Sequence, residues 1–186
     1  MAEYAIKILS VGIPVEHIEW LENMLRLIFN ASIVTDSKTI TLGSLIGVYS
    51  EEREQLQADK LLDYLSEKIG VLPHQRVLVV IDGDGFVEGL NFVFGIAKPN
   101  WGGIVFTERL KPDLYGSTNS VQLFRARLLK ESLHELGHSF GLPHCSRNCV
   151  MRFSNSVYDV DSKPATFCAQ CQIRLNIEAP GLLRAR

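Results

Sequence analysis

The stretch 131-ESLHELGHSFGLPHC-145 contains three of the chain's five histidines. His134 and His138 are four residues apart, so on an α-helix both imidazoles lie on one face, one turn apart. Two nitrogens placed in this way can bind one zinc ion at ~2.0–2.1 Å. Glu135 is rotated by roughly 100° from His134 on the helix, so it can reach a water on the metal without binding the metal itself. The pattern predicts a catalytic zinc site with Glu135 as the general base.

The helix that carries this pair is predicted to end directly after it. Gly141 favours the left-handed conformation that ends helices, and Pro143 cannot continue a helix. A sharp turn after Phe140 would bring His144 beneath the metal as a third nitrogen ligand. Three protein ligands leave a fourth position for water, as catalysis requires. A lone histidine is usually a core residue, but the full pattern H-E-x-x-H-x-x-G-x-x-H is restrictive, and we interpret it as a metal site.

Composition restricts the class of protein. The chain has 186 residues, of which 46% are hydrophobic and 22% charged, as in one soluble globular domain. A formal net charge of -2 gives no positive field that would favour nucleic acid or a membrane surface. Residues 1–16 contain no apolar stretch long enough for a signal sequence, and no window approaches the length of a membrane span. We therefore expect a cytoplasmic protein, most simply a monomer.

All four cysteines lie in the last quarter of the chain, as C-x3-C (Cys145, Cys149) and C-x2-C (Cys168, Cys171). Four thiolates in two such pairs suit a closed tetrahedral zinc site at ~2.3 Å per sulfur. The alternatives are two disulfides or a redox C-x-x-C. A reducing cytoplasm disfavours disulfides, and a redox motif belongs at a helix start after a strand, whereas this one is predicted to lie in a coiled tail. We predict a second, structural zinc.

Hydrophobic periodicity predicts an alternation of strands and helices up to about residue 110. A turn at 98–101 is short enough for a hairpin, so one edge strand is expected to be antiparallel. The polar stretch 115–120 is predicted to cap the motif helix. The fold class is therefore α/β (α+β) with a twisted mixed sheet in 1–141, followed by a smaller, irregular zinc-bound lobe in 142–186. The predicted strands are 4–12, 31–37, 76–84, 91–97 and 102–110, and the predicted helices are 14–29, 51–70 and 121–140.

The last third of the chain resembles the metzincin zinc peptidases, and the archaemetzincins in particular. The resemblance rests on the extended histidine motif, a cysteine directly after the third histidine, Cys-x-Met and the final C-x-x-C. It implies a metzincin-like zincin fold, a catalytic zinc and a four-cysteine zinc, with Met151 as the Met-turn below the histidines. Phe153 stands where some metzincins have a tyrosine ligand, which argues against those families. Cys145 and Cys149 are one residue closer than in the archaemetzincin pattern, which leaves the loop conformation open.

The predicted activity is hydrolysis of a peptide or protein substrate. Zinc on the three histidines would lower the pKa of bound water, Glu135 would move its proton, and the edge strand within 91–110 would align the substrate. Some archaemetzincins are described as aminopeptidases, which implies a carboxylate or a blocked end of the cleft that holds the substrate's amino group. The residues leave four candidates without a choice among them: Asp82, Asp84, Glu88 and Glu108.

Two other classes of function are compatible with parts of the sequence. The chain could be a zinc-binding interaction protein that keeps the site but cuts nothing, because metal binding and turnover are separable. It could also use a four-cysteine zinc ribbon to bind nucleic acid. The acidic balance and the lack of a Lys/Arg-aromatic patch near 145–171 argue against the second class.

Overall fold

The computed structural model describes residues 4–36, 40, 42–116 and 120–184. In this part of the chain the elements follow the order of a layered α/β protein. They are β1 (Tyr4–Val11), α1 (Val15–Ile28), β2 (Ala31–Asp36), β3 (Tyr49–Ser50), β4 (Gln55–Gln57), α2 (Ala58–Lys68), β5 (Gln75–Ile81), β6 (Gly85–Phe86), β7 (Gly95–Lys98), β8 (Gly102–Phe106), α3 (Val121–Ser139), α4 (Val157–Ser162) and α5 (Ala169–Glu178). Among these helices, none is both long and apolar enough to cross a membrane.

The main sheet has the strand order β2-β1-β5-β8-β7. Its first four strands are parallel, and β7 runs antiparallel to β8 at the edge. The predicted mixed sheet with an antiparallel edge strand is therefore confirmed. A second, small sheet has the order β3-β4-β6.

Side chains of the central strand β5 divide the hydrophobic core into two layers. Leu78 and Val80 point to the layer that contains α1 and α3, whereas Val77 and Val79 point to the layer that contains α2. All four side chains are buried, as expected for a strand covered on both faces by helices. The same layer as α1 and α3 also includes apolar residues of 142–182, so the C-terminal segment packs onto this face of the sheet. The division at residue 141 stays a prediction.

Helix α3 begins and ends as the sequence predicts. The Ser120 side chain accepts a hydrogen bond from the backbone N–H of Leu123 at 3.2 Å. At the other end Gly141 adopts φ +93°, and the N–H of Leu142 donates to the carbonyl of Gly137 at 2.9 Å. A left-handed residue of this kind reverses the chain at a helix end, and it starts the turn that leads to His144. Of the predicted capping stretch, 117–119 lies outside the described residues.

Several predicted boundaries in the first two thirds are wrong. The helix predicted for 51–70 begins only at Ala58, because 55–57 pairs with β3 and β6 instead. The strand predicted for 91–97 begins at Gly95, and the one predicted for 102–110 ends at Phe106, after which 108–110 forms a 3-10 turn. Of the strand predicted for 31–37, residue 37 lies outside the described residues. Local apolar runs extend beyond the residues that find a strand partner.

The prediction of an irregular tail is also wrong, because the tail contains two helices. Ser156 and Asp159 form a capping box that starts α4. Cys168 is the N-cap of α5, whose buried face carries Cys171 and Leu175, four residues apart. The C-x-x-C therefore spans a helix start, contrary to the expectation, although no regular strand directly precedes it within the described residues. These helices are too short for their periodicity to be distinctive in the sequence.

Two glycines allow α3 to lie unusually close to the edge of the main sheet. A Cβ atom at Gly103 would be 2.6 Å from Cβ of Glu135, and one at Gly95 would be 2.5 Å from Oε1 of Glu135. Non-bonded carbon atoms are ordinarily ~3.5–4.0 Å apart. The absence of side chains on β7 and β8 at these positions therefore makes the space that Glu135 occupies.

We expect Gly103→Ala to lower the free energy of unfolding by about 1–3 kcal/mol, because the new methyl group overlaps Glu135. Urea denaturation measures this change. Gly70→Ala is the matched control, since a Cβ there meets no atom within 4 Å, and it should stay within about 0.5 kcal/mol of the parent. Equal stability of the two variants would contradict the close approach.

Candidate active site

The three histidines of the motif converge, as predicted. His134 and His138 come from α3 and His144 from the turn that follows it, and their ligand nitrogens all lie within 4.8 Å of one another. The ring centroids are 4.6, 5.3 and 4.7 Å apart. Nε2 of His134 is 3.1 Å from Nε2 of His138. Two nitrogens on one tetrahedral zinc ion would be about 3.3 Å apart, given bonds of ~2.0–2.1 Å.

The far side of each helical imidazole is fixed by the backbone. Nδ1 of His134 lies 2.9 Å from the carbonyl oxygen of Val150, and Nδ1 of His138 lies 2.7 Å from that of Leu142. A carbonyl can only accept, so Nδ1 carries the proton and Nε2 presents its lone pair. Lone pairs that face each other at this distance repel unless a cation lies between them, so the donor set fits a zinc ion.

All three imidazoles favour the neutral form that binds metal. Burial, followed by the Lys163 charge, lowers the pKa of His134 to about 2. Burial also lowers the pKa of His138 and of His144. The lowered pKa values favour the unprotonated nitrogens that a metal ion needs.

Glu135 faces the same cleft as the histidines but lies beside them rather than among them. Its side chain is 4% exposed and rests on the two glycines of the sheet edge. Burial raises the pKa of Glu135 well above its ordinary value, the Glu131 carboxylate acts in the same direction, and the Lys163 charge opposes both. A raised pKa makes the carboxylate a stronger proton acceptor, which is a property of a general base.

Met151 lies beneath the histidine helix. The side chain is fully buried, and its sulfur would overlap a Cβ atom at Gly137, which lies between the two helical histidines in sequence. The position agrees with an apolar floor under the site. Phe153 contacts the site from the other side, with its ring centroid 5.0 Å from that of His144.

The four cysteines form a second cluster. All are free thiols, and their sulfurs lie within 4.8 Å of one another. Sγ of Cys145 is 3.8 Å from Sγ of Cys168, close to the roughly 3.8 Å expected of two sulfurs that bind one tetrahedral zinc at ~2.3 Å. Backbone N–H groups of Met151 and Cys168 donate to Sγ of Cys149 at 3.5 and 3.2 Å, as suits a thiolate. The cluster fits a closed zinc site.

Residues 149–151 connect the two clusters. Cys149 contributes a sulfur to one cluster, while the Val150 carbonyl holds the ring of His134. The Met151 carbonyl accepts a hydrogen bond from the N–H of Cys145 at 2.9 Å. The adjacency of His144 and Cys145, visible in the sequence, is thus one of two links between the clusters, and the second was not predicted.

The histidines and Glu135 line a cleft of about 380 Å³. One part of the wall is the segment 90–97, which includes most of β7, and another is the segment 153–155. The wall 90–97 is held from behind by two arginines. Arg53 donates to the carbonyls of Leu90 and Asn91 at 3.1 and 3.0 Å, and the guanidinium of Arg109 stacks on Phe92 at 4.3 Å.

The four candidate carboxylates for a substrate amine do not line this cleft. Asp82, Asp84 and Glu108 line a separate cavity of about 840 Å³. Asp84 pairs there with Arg109 at 2.7 Å, and Lys111 pairs with both Asp82 and Glu108 at 2.8 and 2.6 Å. Glu88 is exposed. In the described part of the chain, the carboxylates that line the cleft are Glu131 and Glu135.

Sequence reasoning missed the ion pair between Glu131 and Lys163. Nζ of Lys163 is 2.8 Å from Oε1 of Glu131, and the two side chains are 0% and 3% exposed. One signal for Glu131 was available, since it lies one helical turn before Glu135 and shares its face. Lys163 stands in a polar segment and has no such signal.

Together the fold and the histidine cluster define a zinc metallopeptidase of the metzincin class. The profile of Peptidase family M54 matches residues 16–177, and the chain belongs to this family, the archaemetzincins. It is 45% identical over 131 residues to the archaemetzincin of Sulfolobus acidocaldarius, covering 70% of this chain and 73% of that protein. It is 42% identical over 127 residues to that of Saccharolobus solfataricus, covering 68% of each.

Solved structures agree with this assignment. The archaemetzincin of Archaeoglobus fulgidus, crystallised with malonate, superposes with a TM-score of 0.77 at 35% identity and covers 91% of this chain and 99% of its own. The archaemetzincin of Methanopyrus kandleri superposes with a TM-score of 0.75 at 32% identity, and the match covers 95% of this chain and 96% of that one. A zinc-dependent peptidase from Methanocorpusculum labreanum superposes with a TM-score of 0.80 at 26% identity, and the match covers 92% of this chain and 100% of that one. The metzincin-like fold predicted from the sequence is therefore confirmed.

Proposed function

We propose that this metallopeptidase cleaves peptide bonds at a zinc ion held by His134, His138 and His144, with Glu135 as the general base. One observation carries the proposal: three neutral imidazoles present their free nitrogens to one point, and a buried carboxyl group of raised pKa lines the same cleft. A purely structural zinc site would have no use for that carboxyl group.

Each residue then has one task. Zinc, when bound, would act as a Lewis acid that polarises the scissile carbonyl and lowers the pKa of water. Glu135 takes a proton from the attacking water at its carboxylate and returns it to the leaving nitrogen. The glycines beneath Glu135 bring it to the cleft without a competing side chain. The carbonyls of Val150 and Leu142 keep both helical imidazoles in the ligand tautomer.

The edge strand β7 is proposed to align the substrate. One side of β7 pairs with β8, and no other strand pairs with it within the described residues. Gly95, Ile96 and Ala97 line the cleft. An extended peptide can therefore add to the sheet by backbone hydrogen bonds that do not depend on its sequence.

We further propose that the four cysteines hold a second, structural zinc. The sulfur separations and the N–H donors to Cys149 support it. Although burial acts in the opposite direction, the N–H of Cys171 and the neighbouring thiols lower the pKa of Cys168 to about 7, which favours the thiolate that binds metal. A cytoplasmic, monomeric protein without a nucleic-acid partner stays a prediction of the sequence.

The first prediction separates proton transfer from metal binding. Glu135→Ala should keep its metal and its fold but lose about 100- to 10,000-fold in kcat, the usual contribution of a general base. His138→Ala should lose the histidine-site metal as well. A peptide digest read by mass spectrometry, with elemental analysis of each variant, measures both. Wild-type turnover by Glu135→Ala would refute the assigned role, and no cleavage by the zinc-loaded parent would favour an interaction protein.

The second prediction concerns metal content. Freshly purified protein should contain two zinc ions per chain, and mild chelation should remove the histidine-bound ion first, because one of its coordination positions is open. Elemental analysis during stepwise chelation tests the order. A single metal that survives the loss of all three histidines would leave only the cysteine site.

The third prediction couples the two metal sites. Cys171→Ser should weaken zinc binding at the histidines and lower the melting temperature, although Cys171 does not line the cleft. The reason is that the zinc at the four cysteines fixes Cys145 and Cys149, whose neighbours His144 and Val150 set the histidine site. Titration of zinc into this variant, followed by occupancy and folding, measures the effect. Unchanged affinity at the histidines would mean that the sites are independent.

The fourth prediction concerns the aminopeptidase hypothesis. An aminopeptidase should cleave a free peptide much faster than its N-acetylated form. Among the described residues, Glu131 is the one carboxylate besides Glu135 that lines the cleft and could meet an incoming ammonium group, and Lys163 already neutralises it. We therefore expect the two peptides to be cut at rates within about threefold of each other, since an end that is not bound by charge contributes little. A rate lowered 100-fold by acetylation would restore the aminopeptidase hypothesis.

A further inference from the structure

The cleft extends along α3 beyond the histidines. Glu131 lines it one turn before Glu135, and Ser154 lines it from the segment 153–155. Nζ of Lys163 joins the two sides, since it is 2.8 Å from Glu131 Oε1 and donates to the Arg152 carbonyl at 3.4 Å. We call the space lined by Glu131 and Ser154 the Glu131 subsite.

Along α3, the subsite lies between one and two substrate residues from His134 and Glu135. Glu131 precedes His134 by three positions and Glu135 by four, so it stands about 4.5 and 6 Å from them along the helix axis. An extended peptide advances ~3.3–3.6 Å per residue. A peptide lying on β7 with its scissile bond at the histidines therefore presents a neighbouring side chain to Glu131.

The charge of Glu131 is already balanced. Lys163 is fully buried and does not line the cleft, so the cleft meets only the carboxylate of the pair. Lys130, which precedes Glu131 on α3, does not pair with Glu131. It donates hydrogen bonds to the carbonyls of Val160 and Asp161 at 3.0 and 2.8 Å. The carboxylate keeps free lone pairs, because an ionised carboxyl group accepts about four hydrogen bonds.

The wall of the subsite offers a second polar atom. Oγ of Ser154 is buried and has no hydrogen-bond partner within the described part of the protein. A hydroxyl group both donates and accepts. The subsite thus combines an acceptor in Glu131 with an unused hydroxyl group in Ser154.

We propose that the Glu131 subsite selects a neutral side chain with an amide or a hydroxyl group, such as Gln, Asn, Ser or Thr, next to the scissile bond. This inference rests on the proposed peptidase function and names its substrate class. A cationic side chain would add a third, unbalanced charge to a buried neutral pair, which is costly. An aliphatic side chain would leave the Ser154 hydroxyl group without a partner and the free lone pairs of Glu131 without water. An amide or a hydroxyl group can donate a hydrogen bond to the Glu131 carboxylate and form another with the Ser154 hydroxyl group.

The test uses peptides that differ at one position. Two series vary the residue on either side of the cleaved bond among Gln, Met and Lys, which have similar lengths. In one series we expect kcat/KM for Gln to exceed that for Met and for Lys by about tenfold or more, because a site built for hydrogen bonds rejects analogues that lack them. A preference for Met or Lys in both series would overturn the proposal.

Matched variants tie the preference to the subsite. Ser154→Ala should reduce the Gln preference, and the double variant Glu131→Leu/Lys163→Met, which removes the pair without leaving a buried charge, should reverse it in favour of Met. The control Arg127→Met/Asp161→Leu removes another ion pair between α3 and the tail, with 2.7 Å between its atoms and no residue in the cleft. It should keep the Gln preference. A ratio unchanged in the first double variant would overturn the proposal.

Binding separates this inference from the proposed function. Calorimetry of the same peptides with zinc-loaded Glu135→Ala protein should give the same order of affinities, Gln before Met and Lys. If the parent cuts no peptide but the order holds and is lost in Glu131→Leu/Lys163→Met, the peptidase function fails while the subsite stands. If peptides are cut but neither rates nor affinities distinguish Gln from Met, the subsite fails alone.

Discussion

The structure depends on one constraint: the polar side chains of a buried helix must find partners. Helix α3 lies between the main sheet and the C-terminal segment, and its buried residues include Arg127, Glu131, His134 and Glu135. A buried polar group without a partner costs about 1–3 kcal/mol, and an unpaired charge costs more. Water cannot supply these partners inside the core.

The C-terminal segment supplies most of the partners of α3. Arg127 forms a two-pronged pair with Asp161, and Lys130 donates to the carbonyls of Val160 and Asp161. Glu131 pairs with Lys163, and His134 bonds to the Val150 carbonyl. Successive turns of one helix thus hold successive parts of one segment. That segment also forms the cleft wall 153–155, so the contacts nearest to this wall, those of Glu131 and His134, bear on the substrate site as well.

The sequence predicts those features of the fold and of the site that have a local signal in the chain. The histidine spacing, Gly141 and the cysteine pairs are local patterns: the structure brings the histidines together, brings the cysteines together, and ends α3 next to Gly141. The continuous apolar, β-branched run within 76–84 was sufficient in the same way to predict β5, which the structure ends at Ile81. The glycines at 95 and 103, by contrast, matter only because α3 crosses above them, and Lys163 matters only because it faces Glu131 from a distant position. Contacts between elements carry no signature in a single sequence.

Lys163 has a wider electrostatic effect than its single ion pair. Burial is the main cause of the pKa shifts of the three motif histidines and of Glu135. It lowers the pKa of each histidine and raises the pKa of Glu135. The Lys163 charge lowers the pKa of every one of them, reinforcing burial at the histidines and opposing it at Glu135. The deprotonated state is the one in which an imidazole binds metal and a carboxyl group accepts a proton. One buried cation thereby favours the deprotonated form of all four groups, whereas burial favours that form only at the histidines. Because a buried ion pair contributes little net stability compared with apolar residues of the same size, its main consequence lies in this field and in the polar subsite beside it.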